Sequence, residues 1–195
     1  MIVRVLHLAR DRRGGAVVEF ALVCPVLLIL LLGLGDLAFQ GYMQDVLTGA
    51  VQKAGRDATI QGNAQNTSAI DARVMVPIKA ISSGATFVSS RENFDTYSAI
   101  APEPFTDGNG NGIHDAGECY SDVNGNNQWD ADPGSSGQGG ASDIALYKMA
   151  VTYRRLFPLG ALLGWGSTLT ISASTILKNQ PYATQTTTTV KTVCN

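Results

Sequence analysis

From Ala16 to Gly35 the chain runs for twenty residues with a single charge, Glu19. At the rise of an α-helix such a segment spans about 30 Å, the thickness of a bilayer's hydrocarbon core. Past Gly35 the apolar signal becomes one-sided rather than ending. Phe39, Met43, Val46 or Leu47, Ala50, Ala54 and Ala58 recur at intervals of three and four, which marks one face of a continuing helix. Taken from Gly15 to Gln61, that helix is about 70 Å long. Gly41, Gly49 and Gly55 weaken it slightly, and Gly62-Asn63 is its stop. Its small-residue face suits another helix or the protein's own domain.

Asn66-Thr67-Ser68 then caps a second helix running to Ile81, with Ile70, Val74, Ile78 and Ile81 on one side and Pro77 interrupting it. Ala85 to Ser90 and Ala145 to Tyr153 read as strands, and in the second Tyr147, Met149, Val151 and Tyr153 share a face. Ser167 to Leu177 alternates in the same way through Leu169, Ile171 and Ala173. Phe157 to Trp165 is apolar but too short to span a bilayer; it either packs on the domain or dips into the outer leaflet. The expected class is α+β, a long N-terminal transmembrane helix that continues outside the membrane and packs on a small antiparallel sheet. The corresponding segments are 1–14, a cytoplasmic leader; 15–35, the membrane span; 36–62, the helix extension; 63–182, the α+β domain with an insert at 105–134; and 183–195, a Thr-rich tail.

Charge fixes an orientation for this layout. Arg4, Arg10, Arg12 and Arg13 precede the apolar run and Asp36 and Asp45 follow it, so the positive-inside rule puts the N-terminus in the cytoplasm and the rest outside. The 195 residues suffice for one modest domain plus an anchor. The downstream part is mildly acidic and has no basic stripe, which excludes a nucleic-acid partner. Enzymatic chemistry finds no foothold either: the two histidines are His7 and His114, and no nucleophile elbow, P-loop or dinucleotide fingerprint is present. In an exported domain Cys119 and Cys194 are free to pair, whereas Cys24 lies inside the apolar run.

The most explicit chemistry lies in the insert. Asp107-Gly108-Asn109-Gly110-Asn111-Gly112-Ile113-His114-Asp115-Ala116-Gly117-Glu118 fits the twelve-residue calcium loop of an EF-hand position by position. The oxygen ligands expected are Asp107, Asn109, Asn111, the Ile113 carbonyl, Asp115 and a bidentate Glu118, with Gly112 at the sharp turn. Fifteen residues on, Asp122, Asn124, Asn126 and Asp130 repeat the pattern. There Asn127 replaces the glycine and Pro133 replaces the glutamate, so the second loop is expected to be weaker, with Asp132 as the substitute carboxylate. No amphipathic helices flank either loop, so Ca2+ here stiffens a loop rather than driving a sensor-type opening. A metal-free, solvated Asn/Asp/Gly loop is the competing reading. His114 is no calcium ligand, since imidazole is a poor partner for that ion.

Glu19 is the anomaly of the span, because a carboxylate near the membrane costs a few kcal/mol unless balanced. A plain signal anchor leaves it unexplained, and Gly33-Leu34-Gly35 is a feeble signal-cleavage site. Arg12-Arg13-Gly14-Gly15-Ala16-Val17-Val18-Glu19-Phe20 resembles the leader junction of type IV pilin-like proteins, in which a prepilin peptidase cuts after a glycine. The resemblance implies cleavage between Gly14 and Gly15, leaving a new ammonium one helical turn from Glu19. It also implies roles for Glu19 and Phe20 in subunit assembly. The wider stretch to Leu28, with Gln44 to Ala58, Phe157-Pro158-Leu159, Leu169 to Ser174 and Asn179-Gln180-Pro181-Tyr182, resembles TadE-like proteins, minor pseudopilins of the tight-adherence (Flp) pilus system. Residues 62–143 share little of that likeness, and Cys24, the insert and the tail beyond Tyr182 depart from it.

The resemblance implies a pilin-like fold, a bacterial inner-membrane location, and as partners the membrane, prepilin peptidase, other pilin or pseudopilin subunits and the pilus assembly platform. Two other functions stay open. An unprocessed, signal-anchored calcium-binding surface or adhesion protein would retain its leader, and a secreted enzyme would require cleavage near Gly35.

Overall fold

The computed structural model describes residues 15–59, 66–157, 164, 166–181, 183, 185 and 188–194. The leader with Gly14, the expected helix stop at Gly62-Asn63, most of the apolar stretch 158–165 and Tyr182 lie outside the described residues. The chain divides into two units, one formed by residues up to Tyr42 with Arg154–Leu169 and the other by Met43–Tyr153 with Thr170–Asn195.

Helix α1, Gly15–Ala58, is a single element of 44 residues with Pro25 inside it. In the first unit its apolar side chains point outward on every side: Phe20, Leu22, Val26, Leu30 and Leu34 are all exposed. Nothing in its most apolar eighteen-residue window is buried, and the helix is long and apolar enough to cross a membrane. An all-round apolar helix without protein around it needs lipid or other helices as its solvent. Pro25 removes one backbone hydrogen bond, a loss that spanning helices tolerate. Where the apolar run ends, Asp36 is buried and accepts a hydrogen bond from Arg155. One residue earlier, a Cβ on Gly35 would lie 2.8 Å from the Phe157 ring, so the ring closes on the helix only because this position is glycine.

In the second unit α1 buries a single stripe, Met43, Leu47, Val51, Ala54 and Ala58. The spacing of four, four, three and four is the expected helical face. Its middle differs from the sequence reading: Val51 is buried where Ala50 was expected, because the stripe passes through Leu47 rather than Val46. The helix α2, Thr67–Ile81, buries Ile70, Val74, Met75 and Ile78 together with the acidic Asp71. Asn66 does not cap it through its side chain; only its carbonyl is used, accepting the Ile70 N–H. Pro77 does not end the helix, since Ile78 beyond it is fully buried and holds the last turn in place.

The main sheet has the order β3-β1-β4-β5, from Ser135–Ser136, Thr86–Phe94, Ile144–Arg154 and Thr168–Lys178. Strands β1 and β4 run antiparallel with Ser89 opposite Met149 and Arg91 opposite Tyr147. The expected alternation in β4 is present, with Tyr147, Met149, Val151 and Tyr153 all buried. A second sheet, absent from the sequence reading, pairs β2 (Cys119–Asp122) with β6 (Lys191–Cys194).

Helix α1 lies against β5. The Gln44 side chain donates to the Ser172 carbonyl at 2.8 Å, and a Cβ on Gly55 would collide with Leu177 Cδ1 and sit 2.6 Å from Thr175 Cγ2. Gly55 thus sets how closely the helix approaches the strand. Gly55→Leu is expected to lower stability by about 1–3 kcal/mol through overpacking, outweighing the helix propensity gained. A denaturant titration checks this. The observed class is α+β, a long N-terminal apolar helix with a small antiparallel sheet.

Candidate functional site

Two sets of residues carry the candidate chemistry. The first is the start of α1. Gly15 is the first described residue of α1, and Glu19 and Phe20 lie exposed one turn later. Among the described residues Glu19 forms no ion pair. Gly14 lies outside the described residues, so the junction itself has no geometry to report.

The second set is the insert, which folds as two equivalent loops joined by β2. In the first, the Asp107 carboxylate gathers the N–H groups of Gly110 (2.6 Å), Asn111 (3.2 Å) and Gly112 (2.8 Å). The Gly112 N–H foremost, then those of Gly110, Asn111 and Asn109, hold the Asp107 carboxyl below the ordinary aspartate value against an opposing push from desolvation. Asn109 and Asn111 each accept the N–H two residues on, and their Nδ2 groups both donate to Asp115 Oδ2 at 2.7 and 2.8 Å. Glu118 closes the loop by accepting from Gly108 and Asp115.

The second loop repeats this arrangement. Asp122 accepts from Gly125, Asn126 and Asn127, and Asn124 and Asn126 donate to Asp130 Oδ2 at 2.7 and 2.6 Å. Positions four and six are left-handed in both loops, at Gly110 and Gly112 (φ 73° and 76°) and at Gly125 and Asn127 (φ 78° and 59°). Asparagine adopts that region more readily than most side chains, so Asn127 can stand in for the glycine. Position eight is His114 in one loop and Trp129 in the other, and these rings stack at 4.9 Å and 11°. Phe105 meets both edge-on, and Tyr120 meets His114 in the same way. His114 is therefore a packing residue between the loops. Asp132, the substitute carboxylate expected from the sequence, is exposed and accepts the Gly134 N–H.

Whether these loops suit a cation is a question of donor chemistry. In the first loop the side chains at positions one, three, five, nine and twelve bear oxygen, and the Ile113 carbonyl at position seven completes the set expected for a hard divalent ion. As the loops stand, no group of three or more His, Cys, Asp or Glu side chains among the described residues is placed to hold a metal ion. In both loops the two amide Nδ2 groups converge on the carboxylate at position nine, putting positively polarised hydrogens inside the loop. Rotating each amide presents its oxygen there instead.

Cys119 follows Glu118 directly and is joined to Cys194 by a disulfide, pinning β6 to β2 beside the loops. Two carboxylates buried among the described residues, Asp71 and Glu103, have no place in the sequence pattern. Asp71 accepts from Ser89 (2.6 Å), Tyr147 (2.6 Å) and Arg91 (2.5 Å), tying α2 to β1 and β4. Glu103 lies buried against the second loop.

Comparison with known proteins gives one family. Residues 14–56 match the family described as TadE-like protein. That match spans the start of α1 and most of its length, and the C-terminal segments that resemble the same family fall outside it. No curated protein and no solved structure matches the chain.

Proposed function

Taking as premise that residues 14–56 are a TadE-like segment, we propose that this chain is a minor pilin-like membrane subunit for assembly of a tight-adherence (Flp) pilus. The leader ending at Gly14 is removed by a prepilin peptidase, and the domain beyond α1 lies outside the cytoplasm with calcium held in its insert. The role is structural rather than catalytic. The partners are the inner membrane, other pilin or pseudopilin subunits and the assembly platform.

One observation carries this reading: the family match coincides with a helix whose apolar surface is bare and whose sole early charge is Glu19, one turn from Gly15. Cleavage before Gly15 creates an ammonium, and in a stack of subunits the Glu19 of one chain can balance the amine of another. Two charges that are costly apart in an apolar medium then neutralise each other. The arginines of the leader support a cytoplasmic N-terminus. In the insert, Asp107, Asn109, Asn111, the Ile113 carbonyl, Asp115 and Glu118 would hold a calcium ion, which supplies the positive charge their oxygens lack.

Mass spectrometry of the membrane-extracted protein is expected to show a chain beginning at Gly15. A chain beginning at Met1 overturns the pilin reading in favour of a signal-anchored calcium-binding surface protein. Glu19→Gln is expected to cut incorporation into pili or pseudopili by about tenfold or more, the effect of about 1.4 kcal/mol of lost charge balance. Unchanged incorporation removes Glu19 from any assembly role.

A further inference from the structure

Glu118 ends the first loop with three hydrogen bonds to it. Its Oε1 accepts the Gly108 N–H at 2.8 Å, its Oε2 accepts the Asp115 N–H at 3.0 Å, and its own N–H donates to the Asp115 carbonyl at 3.1 Å. The second loop has Pro133 at the matching position. All three hydrogen bonds are nevertheless present, made by Glu103. Its Oε1 accepts the Val123 N–H at 2.8 Å, its Oε2 accepts the Asp130 N–H at 3.0 Å, and its N–H donates to the Asp130 carbonyl at 3.0 Å. Val123 and Asp130 stand second and ninth in their loop, as Gly108 and Asp115 do in theirs.

Backbone pairing explains how a residue upstream of both loops arrives there. Phe105 bridges to Tyr120, Thr106 donates to the Cys119 carbonyl, and Ser121 donates to the Pro104 carbonyl. Residues 104–106 therefore run antiparallel beside β2, whose last residue, Asp122, is the first of the second loop. The Trp129 Nε1–H, donated to the Glu103 carbonyl at 2.9 Å, fixes the approach.

Burial is the independent pointer to an occupant. Glu103 is 1% exposed and Asp122 0%, and among the described residues neither forms an ion pair with a lysine, arginine or histidine. Backbone N–H groups satisfy their hydrogen bonds but leave the negative charges uncompensated. Two carboxylates withdrawn from water around one loop call for a cation between them. We infer that Glu103 supplies the carboxylate missing from the second loop and completes a second divalent-cation site with Asp122, Asn124, Asn126, Asp130 and the Gln128 carbonyl. The donor set is all oxygen and includes a main-chain carbonyl, which suits calcium. Each site then carries three carboxylates, so the second is no weaker in charge than the first and is the more enclosed. This inference rests on the calcium reading of the first loop and extends it from one ion to two.

The test is calorimetric titration of calcium chloride into the detergent-solubilised, chelator-stripped full chain. Two ions per chain are expected for the wild type, one for Glu103→Gln, one for Glu118→Gln and none for the double variant. Circular dichroism and the intact disulfide report that each variant is folded. Should Glu103→Gln fail to fold, Asp130→Asn gives the same readout from a less buried position, with at least a tenfold weakening of one ion only. Two ions of unchanged affinity in a folded Glu103→Gln or Asp130→Asn chain overturn the inference. A wild type that binds one ion, lost in Glu118→Gln, overturns the second site and leaves the first standing. A wild type that binds none overturns both.

Discussion

Asp71→Asn is expected to lower the unfolding free energy of the full chain by about 3–5 kcal/mol, the cost of leaving a buried charge without its partner. The Asp71 and Arg91 side chains are 9% and 8% exposed and joined at 2.5 Å, and the guanidinium also lies 4.3 Å over the Tyr147 ring. The amide keeps the shape of the carboxylate and can still accept from Ser89 or Tyr147, so the loss isolates the charge. Denaturant titration in detergent measures it. Pairing the change with Arg91→Met is expected to cost less than the sum of the two single changes, because neither charge is then stranded.

The same pair predicts a pH dependence with a definite sign. Burial alone would raise the Asp71 carboxyl, but hydrogen bonds from Arg91, Ser89 and Tyr147 and the Arg91 charge together outweigh it and hold the group below its ordinary value. A carboxyl lowered on folding contributes stability above its unfolded pKa, near 3.9 for aspartate. That contribution is lost as pH falls through the folded value. The stability gap between wild type and Asp71→Asn should therefore be constant near neutrality and narrow only in acid. Tyr147 moves the other way: burial first, and then its hydrogen bond to Asp71, push its hydroxyl above the ordinary tyrosine value. It stays a neutral donor throughout this range.

Replacing Cys119 and Cys194 together with serine is expected to cost about 4 kcal/mol. That figure follows from the chain entropy released when a cross-link between residues 75 apart is removed. The short pairing of β2 with β6 gives the cross-link a local role as well, since Cys119 stands directly opposite Cys194 in that register. Reduction of the wild type should reproduce the shift in thermal midpoint, and reductant should leave the serine variant unaffected. A wild type whose midpoint does not move on reduction would show that β6 is held by its backbone pairing alone.

What the sequence made legible is what periodicity carries. The bare apolar half of α1 and the alternating face of β4 bury, or fail to bury, the residues their spacing indicates, and the one-sided continuation of α1 does so except at its middle, where Val51 takes the place of Ala50. Strand β1 was legible only to Ser90, because its inward positions include Ser89 and Arg91, polar residues that mimic a loop unless their partner Asp71 is known. Asp71 in turn sits on the buried face of α2 as an apparent break in the apolar pattern. Strand β6 is four residues of a threonine-rich tail, too short to carry a period, and Cys194 alone marked it. In the insert, spacing within twelve residues located both loops and the equivalence of Gly112 and Asn127. It could not find Glu103, whose place is set by strand pairing across the first loop rather than by distance along the chain. Ion pairs such as Asp36 with Arg155 are invisible for the same reason.

The bond between Cys119 and Cys194 also decides how this protein withstands a protease. A cut anywhere between those residues severs the backbone yet leaves both fragments fastened to each other. A nicked chain thus migrates at full mass under non-reducing conditions and falls apart only when a thiol is added. A single cut between the two cysteines therefore leaves the residues on both sides of it attached to α1 until a thiol is added.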